Sequence, residues 1–275
     1  MDKRLRKQII VGVAVGAVFM LIIFLIIMAI KPSATCFDGK QNQNETGIDC
    51  GGSCAKQCVT IYGPEIKFAK FFKVGQNNVD AVAEVSNKNF SLASDYIPYT
   101  FTLSDQAGQV LATKSGSFYL LPGKSRFVIE QNIFVSRDPA KVDFKLGSIK
   151  WGEIATFVQN QNMQDINNIQ LLNQDPALQK DALGNLQLFS NIVNRSFYDF
   201  DLIEIDLVAY DASNNIIASG QTFIRTVKAN EKRVFSITWP KNTLSAMPVK
   251  FDVRAVTNVF NPDNFLNQPD NVQPF

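Results

Sequence analysis

The chain opens on a block from which polar positions are missing: Ile9 to Ile30 contains no charged or strongly polar side chain. As a helix its 22 residues would reach about 33 Å at roughly 1.5 Å per residue, matching a hydrocarbon core of roughly 30 Å. Only a helix satisfies its own backbone in that environment. After Pro64 the pattern changes to alternation. Val79, Ala81, Ala83 and Val85 alternate with Asp80 and Glu84, and Tyr99, Phe101 and Leu103 with Thr100, Thr102 and Ser104. Ile203, Ile205, Leu207 and Ala209 alternate with Glu204 and Asp206, and Val249, Phe251, Val253 and Ala255 with Lys250, Asp252 and Arg254. Period two sends one face of a strand to a core and the other to water. Polar turns separate the runs, among them Gln106-Ala107-Gly108, Leu121-Pro122-Gly123 and Ser213-Asn214-Asn215. Short strands at this spacing predict β-sandwiches rather than a barrel or an α/β fold.

The β region also repeats itself. Asn87-Lys88-Asn89-Phe90, followed by the stretch Thr102 to Ala112, matches Asn194-Arg195-Ser196-Phe197 followed by Val208 to Ala218. Leu121 to Phe127 matches Val227 to Phe235. An offset of about 106 residues between the copies indicates a duplicated domain. The expected organisation is a cytoplasmic N-terminus (1–8), a transmembrane helix (9–30) and a Cys-rich stalk (31–59). Two sandwiches (60–157 and 158–259) and a disordered tail (260–275) follow. The entry to the second sandwich, Gln159 to Asp181, is rich in Asn and Gln and mixes a linker with a first strand. The tail, with Pro262, Pro269 and Pro274, is read as unstructured, or else as a short peptide docking elsewhere.

Charge orients the apolar block. Lys3, Arg4, Arg6 and Lys7 precede it and only Lys31 follows, so the positive-inside rule puts the N-terminus in the cytoplasm and everything after Lys31 outside. The rival readings are three. A cleavable signal peptide would have a shorter apolar region, although Ser33-Ala34-Thr35 would tolerate cleavage. A lipoprotein acylated at Cys36 conflicts with the intervening Lys31 and Pro32, and a pilin-like helix would carry an acidic residue near its start. A retained signal anchor, with residues 9–30 in the lipid bilayer, is the reading taken. Gly12 and Gly16 form a GxxxG spacing that either packs two such helices or faces lipid.

All four cysteines, Cys36, Cys50, Cys54 and Cys58, fall in one segment too small to bury a core, so it needs a staple. Two disulfides in an oxidising compartment are expected, with three possible pairings. A zinc site of four thiolates is the alternative, but paired CxxC knuckles are missing. Asp38, Asn42, Asn44, Glu45 and Asp49 also place oxygen ligands in a glycine-containing loop. They suit a Ca2+ ion, or simply build turns.

Two resemblances follow from these residues. The pattern C-x-DG-x-x-N-x-x-E-x-G-x-DCGG-x-C, in the segment Cys36 to Cys58, resembles a Cys-rich element of secreted or anchored prokaryotic proteins, including those of candidate-phyla bacteria; it implies a surface location and no chemistry. Asn87, Asp105, Gly108, Pro122 and Gly123 resemble the pattern of the immunoglobulin-like FxLYD family and its relatives in the late-embryogenesis water-stress group. The second copy departs from it, with Asn214 at the first glycine and Lys228-Ala229 at the Pro-Gly. That resemblance implies tandem immunoglobulin-like extracytoplasmic domains without defined catalytic residues.

Composition then narrows the chemistry. The chain has no histidine, which removes Ser-His-Asp and Cys-His nucleophile systems and His-ligated zinc. Charges outside the membrane block nearly cancel, so no basic nucleic-acid face is expected. Trp151 and Trp239 are read as core or rim packing, with sugar or peptide stacking as the sharper option. Asp199, Asp201, Glu204, Asp206 and Asp211 form an acidic run. Glu204 and Asp206 are expected on a solvated outward face, with a carboxylate-pair hydrolase as the rival. Lys228, Lys232 and Arg233 either meet an anionic polymer or keep an edge strand soluble. The functional expectation is a non-catalytic, membrane-anchored binding or assembly module of the cell envelope, with an envelope protein or polymer as partner. An envelope-polymer hydrolase and a stress-protective domain are the alternatives.

Overall fold

The computed structural model describes residues 3–30, 36–42, 44–58, 60–157 and 169–267. Lys31, the Ser33-Ala34-Thr35 cleavage candidate, residues 159–168 of the Asn- and Gln-rich stretch, and Pro269 and Pro274 lie outside them. The fold is mostly β, with antiparallel sheets, an N-terminal apolar helix and two disulfides. Residues 1–60 and 61–275 form two separate compact units.

In the first unit, helix α1 spans Lys3–Ile30. Its side chains from Arg6 to Ile26 are all exposed, and this stretch is long and apolar enough to cross a membrane by length and composition. The stapled segment follows, with bonds Cys36–Cys54 and Cys50–Cys58. Of the three possible pairings this is the one formed, and with all four thiols bonded none is left as a thiolate ligand for zinc.

The second unit holds two sandwiches of similar plan. In the first, β1 (Glu65–Lys73), β2 (Asn78–Ser86) and β5 (Ser125–Phe134) form sheet one, in the order β1-β2-β5. β3 (Ser94–Ser104), β4 (Val110–Leu120) and β6 (Lys141–Leu146) form sheet two, in the order β4-β3-β6. Between the sheets lie Val79, Ala81, Ala83 and Val85 from β2 and Ile97, Phe101 and Leu103 from β3, all nearly inaccessible. Trp151 packs against this core from its rim, just before the short helix α2 (Ile154–Phe157).

In the second sandwich, β7 (Leu171–Lys180), β8 (Leu186–Asn194) and β11 (Lys232–Trp239) form sheet three, in the order β11-β8-β7. Sheet four has β10 (Ile216–Val227), β9 (Asp199–Tyr210) and β12 (Lys250–Val256), in the order β10-β9-β12. Ile203, Ile205, Leu207 and Ala209 fill the core with Leu188, Ile192 and Phe235. Trp239 is buried there, its indole N–H donating to the Ser219 carbonyl at 2.9 Å, which settles it as packing.

The tail is corrected by the structure. Pro262–Asn264 form a 3-10 turn capped by Asn261, and β13 (Phe265–Asn267) pairs with β9. Two features hold it: Phe265 enters the core, and Asn264 accepts from the Leu202 amide at 2.8 Å while donating to Thr257 Oγ1 at 2.7 Å. Proline at the first turn of a helix loses no intrahelical bond, so Pro262 starts this element instead of marking disorder. Residues 260–267 therefore belong to the second sandwich.

One device recurs in both copies. Asn87 is buried and its amide donates to the carbonyls of Leu92 (2.7 Å) and Leu121 (3.0 Å), while its oxygen accepts from the Asn89 amide (2.9 Å). Asn194 repeats this with Tyr198 (2.8 Å), Lys228 (3.0 Å) and Ser196 (3.1 Å). Each asparagine thus ties the end of one strand (β2, β8) to the turn that opens another (β5, β11). In that turn Gly123 takes φ 62° and Asn230 takes φ 58°, so the second copy replaces the Pro-Gly turn with a residue that also tolerates the left-handed region. Gly108 (φ 82°) and Asn214 (φ 62°) show the same exchange.

Candidate functional site

The sequence-predicted ligand loop is occupied with its own closure. Asp49 Oδ1 accepts from the amides of Asp38 (3.0 Å) and Gly39 (3.1 Å), and Asp38 Oδ2 accepts from the Asn42 amide nitrogen (2.8 Å). Glu45 is buried and its Oε2 accepts from the Asn42 backbone at 3.1 Å. Asn44 lies beside Glu45 and its carbonyl crowds Gly52. Among the described residues the one convergence of three candidate ligand side chains is Cys36, Glu45 and Cys54, within 4.8 Å. Its two sulfurs are bonded to each other, so it is a disulfide with a neighbouring carboxylate. The arrangement makes turns.

The more informative geometry lies between the sandwiches. Sheet one presents outward Phe68, Phe72, Val82, Phe127 and Ile129; sheet four presents Val208, Tyr210 and Ile216, and these residues form a third core. The register explains it, because Val82 faces Ile129 across β2 and β5, and Val208 lies on the same face of β9 as Glu204 and Asp206. Strands β2, β5 and β9 are buried on both faces over part of their length.

Two arginines cross the junction in opposite directions. Arg254 of β12 reaches Glu84 of β2 at 2.9 Å and also pairs with Asp252 at 2.8 Å, its guanidinium 3.8 Å from the centroid of Phe127. Arg126 of β5 pairs with Glu204 and lies 3.7 Å from Asp206, both on β9, and sits 4.3 Å over Tyr119. Asp206 is fully inaccessible and accepts from Gln221 at 2.8 Å. Burial pushes its pKa up to about 6, against the opposing pull of Arg126 and Gln221. The expected solvated face of Glu204 and Asp206 is thereby overturned: it is the face on which the first sandwich sits. Alternation reports which residues share a face and says nothing about what covers that face.

The rest of the acidic run is equally engaged. Asp199 accepts from the Ala229 amide at 2.7 Å, Asp201 pairs with Arg225 at 3.1 Å, and Asp211 accepts from the amides of Ser213 and Asn215 in its turn. Those turn bonds, led by the Asn215 side chain, hold the Asp211 carboxyl below the usual range. The basic candidates bond locally too: Lys232 with Asp175 at 2.8 Å, and Arg233 with the Thr226 carbonyl at 2.9 Å. Lys228 offers its backbone amide to Glu231 at 2.7 Å.

A cleft of about 550 Å3 opens at this junction, a feature that reading the sequence missed. Asp95, Glu130 and Glu204 line it, with Arg126 and Gln221 at its sandwich–sandwich seam. Its aromatic walls come from Tyr96, Tyr99, Tyr119 and Phe223, of which Tyr96 (60%) and Phe223 (56%) are largely exposed. Tyr99 donates to Glu130 Oε1 at 2.7 Å; burial first, and this bond second, raise the phenol well above its ordinary pKa and keep it a neutral donor. Gly116 permits this pose, since a Cβ there would meet the Tyr99 hydroxyl at 2.5 Å.

No family model matches the chain, and no curated protein matches it. Among solved structures it is similar to red sea bream transglutaminase at 12% identity and a TM-score of 0.23, over 72% of this chain and 30% of that one. A likeness of that size carries no argument.

Proposed function

We propose that the chain is a membrane-anchored, extracytoplasmic binding module of the cell envelope, and that its partner engages the cleft between the two sandwiches. The observation that carries this reading is the junction: two sandwiches fixed to each other by a shared apolar core and two crossing arginines, with an aromatic and acidic cleft at the seam. A fixed seam holds residues from both sandwiches at constant spacing, so little ordering entropy opposes binding there. Binding rather than hydrolysis is supported by the acidic run, whose carboxylates are engaged in ion pairs, turns and strand contacts. An anchor reading for α1 rests on its length and exposed apolar surface with Lys3, Arg4, Arg6 and Lys7 before the block, and the disulfides suit an oxidising exterior. Taken as immunoglobulin-like domains and a Cys-rich surface element, the two sandwiches and the stapled segment would agree with that placement.

In-cell photocrosslinking tests it. A photoreactive residue replaces Phe223 or Tyr96 at the rim of the cleft in the full-length chain, and in a parallel strain replaces Val234, exposed on sheet three. A reproducible adduct from the first two positions and not the third is expected. Equal capture at all three, or self-adducts alone, would remove the cleft from the reading.

A further inference from the structure

We infer that the cleft receives a cationic side chain, an arginine or lysine presented by a partner protein. This rests on the binding-module reading and names the chemistry of its partner. The argument begins with charge. The cleft is lined by the carboxylates of Asp95, Glu130 and Glu204, with Asp206 behind them, and Arg126 is the one basic side chain among its described lining residues. Arg126 is already matched by Glu204 and Asp206, and among the described residues neither Asp95 nor Glu130 forms an ion pair, which leaves both carboxyl groups to meet an incoming group. Tyr99 adds a neutral hydrogen bond to Glu130 and supplies no countercharge.

Shape and polarity agree with charge. The volume, about 550 Å3, is within the range of roughly 300–1,000 Å3 common for ligand pockets. Exposed Tyr96 and Phe223 stand at the rim, where aromatic faces attract guanidinium or ammonium groups and shield the methylene stem. Carboxylates accept the planar guanidinium through paired hydrogen bonds, which favours arginine over lysine. A second feature concerns Arg126 itself. One of its terminal nitrogens is buried without a hydrogen-bond partner, although the guanidinium pairs with Glu204 and lies near Asp206 through its other nitrogens. A buried polar atom of this kind usually finds a partner, and a backbone carbonyl of a bound peptide would be an acceptor for it. An anionic or purely apolar ligand would meet uncompensated carboxylates, and a neutral glycan would leave their charge unanswered.

The test uses the full-length chain in detergent micelles. The probe is a fluorescent Gly-Ser peptide bearing one arginine, compared by anisotropy with the same peptide bearing citrulline, which keeps the shape and loses the charge. Binding of the arginine peptide is expected to exceed that of the citrulline peptide by about tenfold or more, a difference of about 1.4 kcal/mol. Glu130→Gln, which retains an acceptor for Tyr99, and Asp95→Asn should each weaken the arginine peptide by about fivefold or more without lowering thermal stability. Asp175→Asn, on sheet three, should leave it unchanged. Equal binding of both peptides overturns the inference, as does equal loss in Asp175→Asn. Tighter binding of a neutral glycan, insensitive to Glu130→Gln, also overturns it. If the peptides fail while rim photocrosslinking still captures a partner, the cationic chemistry is wrong and the binding module stands; if both fail, both readings fall.

Discussion

Asn87 and Asn194 each use a single buried amide to satisfy two carbonyls and one amide that would otherwise face the interior unpaired. Removing one partner from a buried pair costs about 1–3 kcal/mol per group left unsatisfied, and the losses overlap. Asn194→Ala should therefore destabilise the second sandwich by about 2–4 kcal/mol, and Asn194→Asp by a similar amount because a carboxylate cannot donate. Urea unfolding of the full chain in detergent, followed by tryptophan fluorescence from Trp239, measures it; a change below about 0.5 kcal/mol would contradict a tying role for Asn194. The turn residues give a smaller, opposite contrast. Gly123→Ala places a Cβ at φ 62° and should cost about 1 kcal/mol, whereas Asn230→Gly should fall within about 0.5 kcal/mol of zero. Both asparagines were visible in the sequence as repeated letters. The reason for the repeat was not, because their acceptors come from turns up to 34 residues away.

At the scale of elements, the strands were legible because alternation marks an inner face directly: Val79 to Val85 and Ile203 to Ala209 occupy the two cores as their spacing implies. The outer faces were not, although a signal was present. Val82 and Val208 stand among carboxylates on faces that should be polar, and Phe127-Val128-Ile129 does not alternate at all. Continuous apolar runs mark strands buried on both faces. The partners of those faces are arginines 78 and 170 residues distant, beyond any local pattern. Cysteine pairing was equally out of reach, since spacing alone leaves the connectivities equivalent. The stapled segment yields its own prediction. With little core, it depends on the Cys36–Cys54 and Cys50–Cys58 bonds, the longer of which closes a loop worth about 3 kcal/mol in chain entropy. Reduction should strip hydrogen-exchange protection from residues 44–58 and leave β2, β3 and β9 protected. Retained protection in 44–58 under full reduction would show that the turns hold without the bonds.

The whole second unit is held by a junction that mixes apolar contact with buried charge, and pH separates the two. Asp206 has its pKa raised to about 6 by burial, above an unfolded value near 3.8. A raised carboxyl favours folding while it is protonated, so its contribution is complete below about pH 4 and is lost as pH rises through about 6. A rise of that size corresponds to roughly 3 kcal/mol, and the groups facing this carboxyl are Arg126, Gln221, Glu204 and Arg254. Turn carboxylates such as Asp105, Asp181 and Asp211 act the other way. Bonds within their turns lower their pKa, and they weaken folding only below the unfolded range near pH 4. A raw stability profile therefore combines both trends, and the difference from Asp206→Asn isolates one. At pH 3.5 the neutral variant should match the protonated parent, and by pH 7.5 it should be the more stable of the two by about 1–3 kcal/mol. Arg126→Met should do the reverse, costing about 3–5 kcal/mol at pH 7.5 because Glu204 and Asp206 lose their countercharge, and less at pH 4.5. Parallel curves for the parent and Asp206→Asn across this window would mean that Arg126 holds Asp206 ionised in the junction. The arginine crossing would then be a net attraction between the sandwiches throughout that window, and the cleft it borders would keep its acidic character unchanged across it.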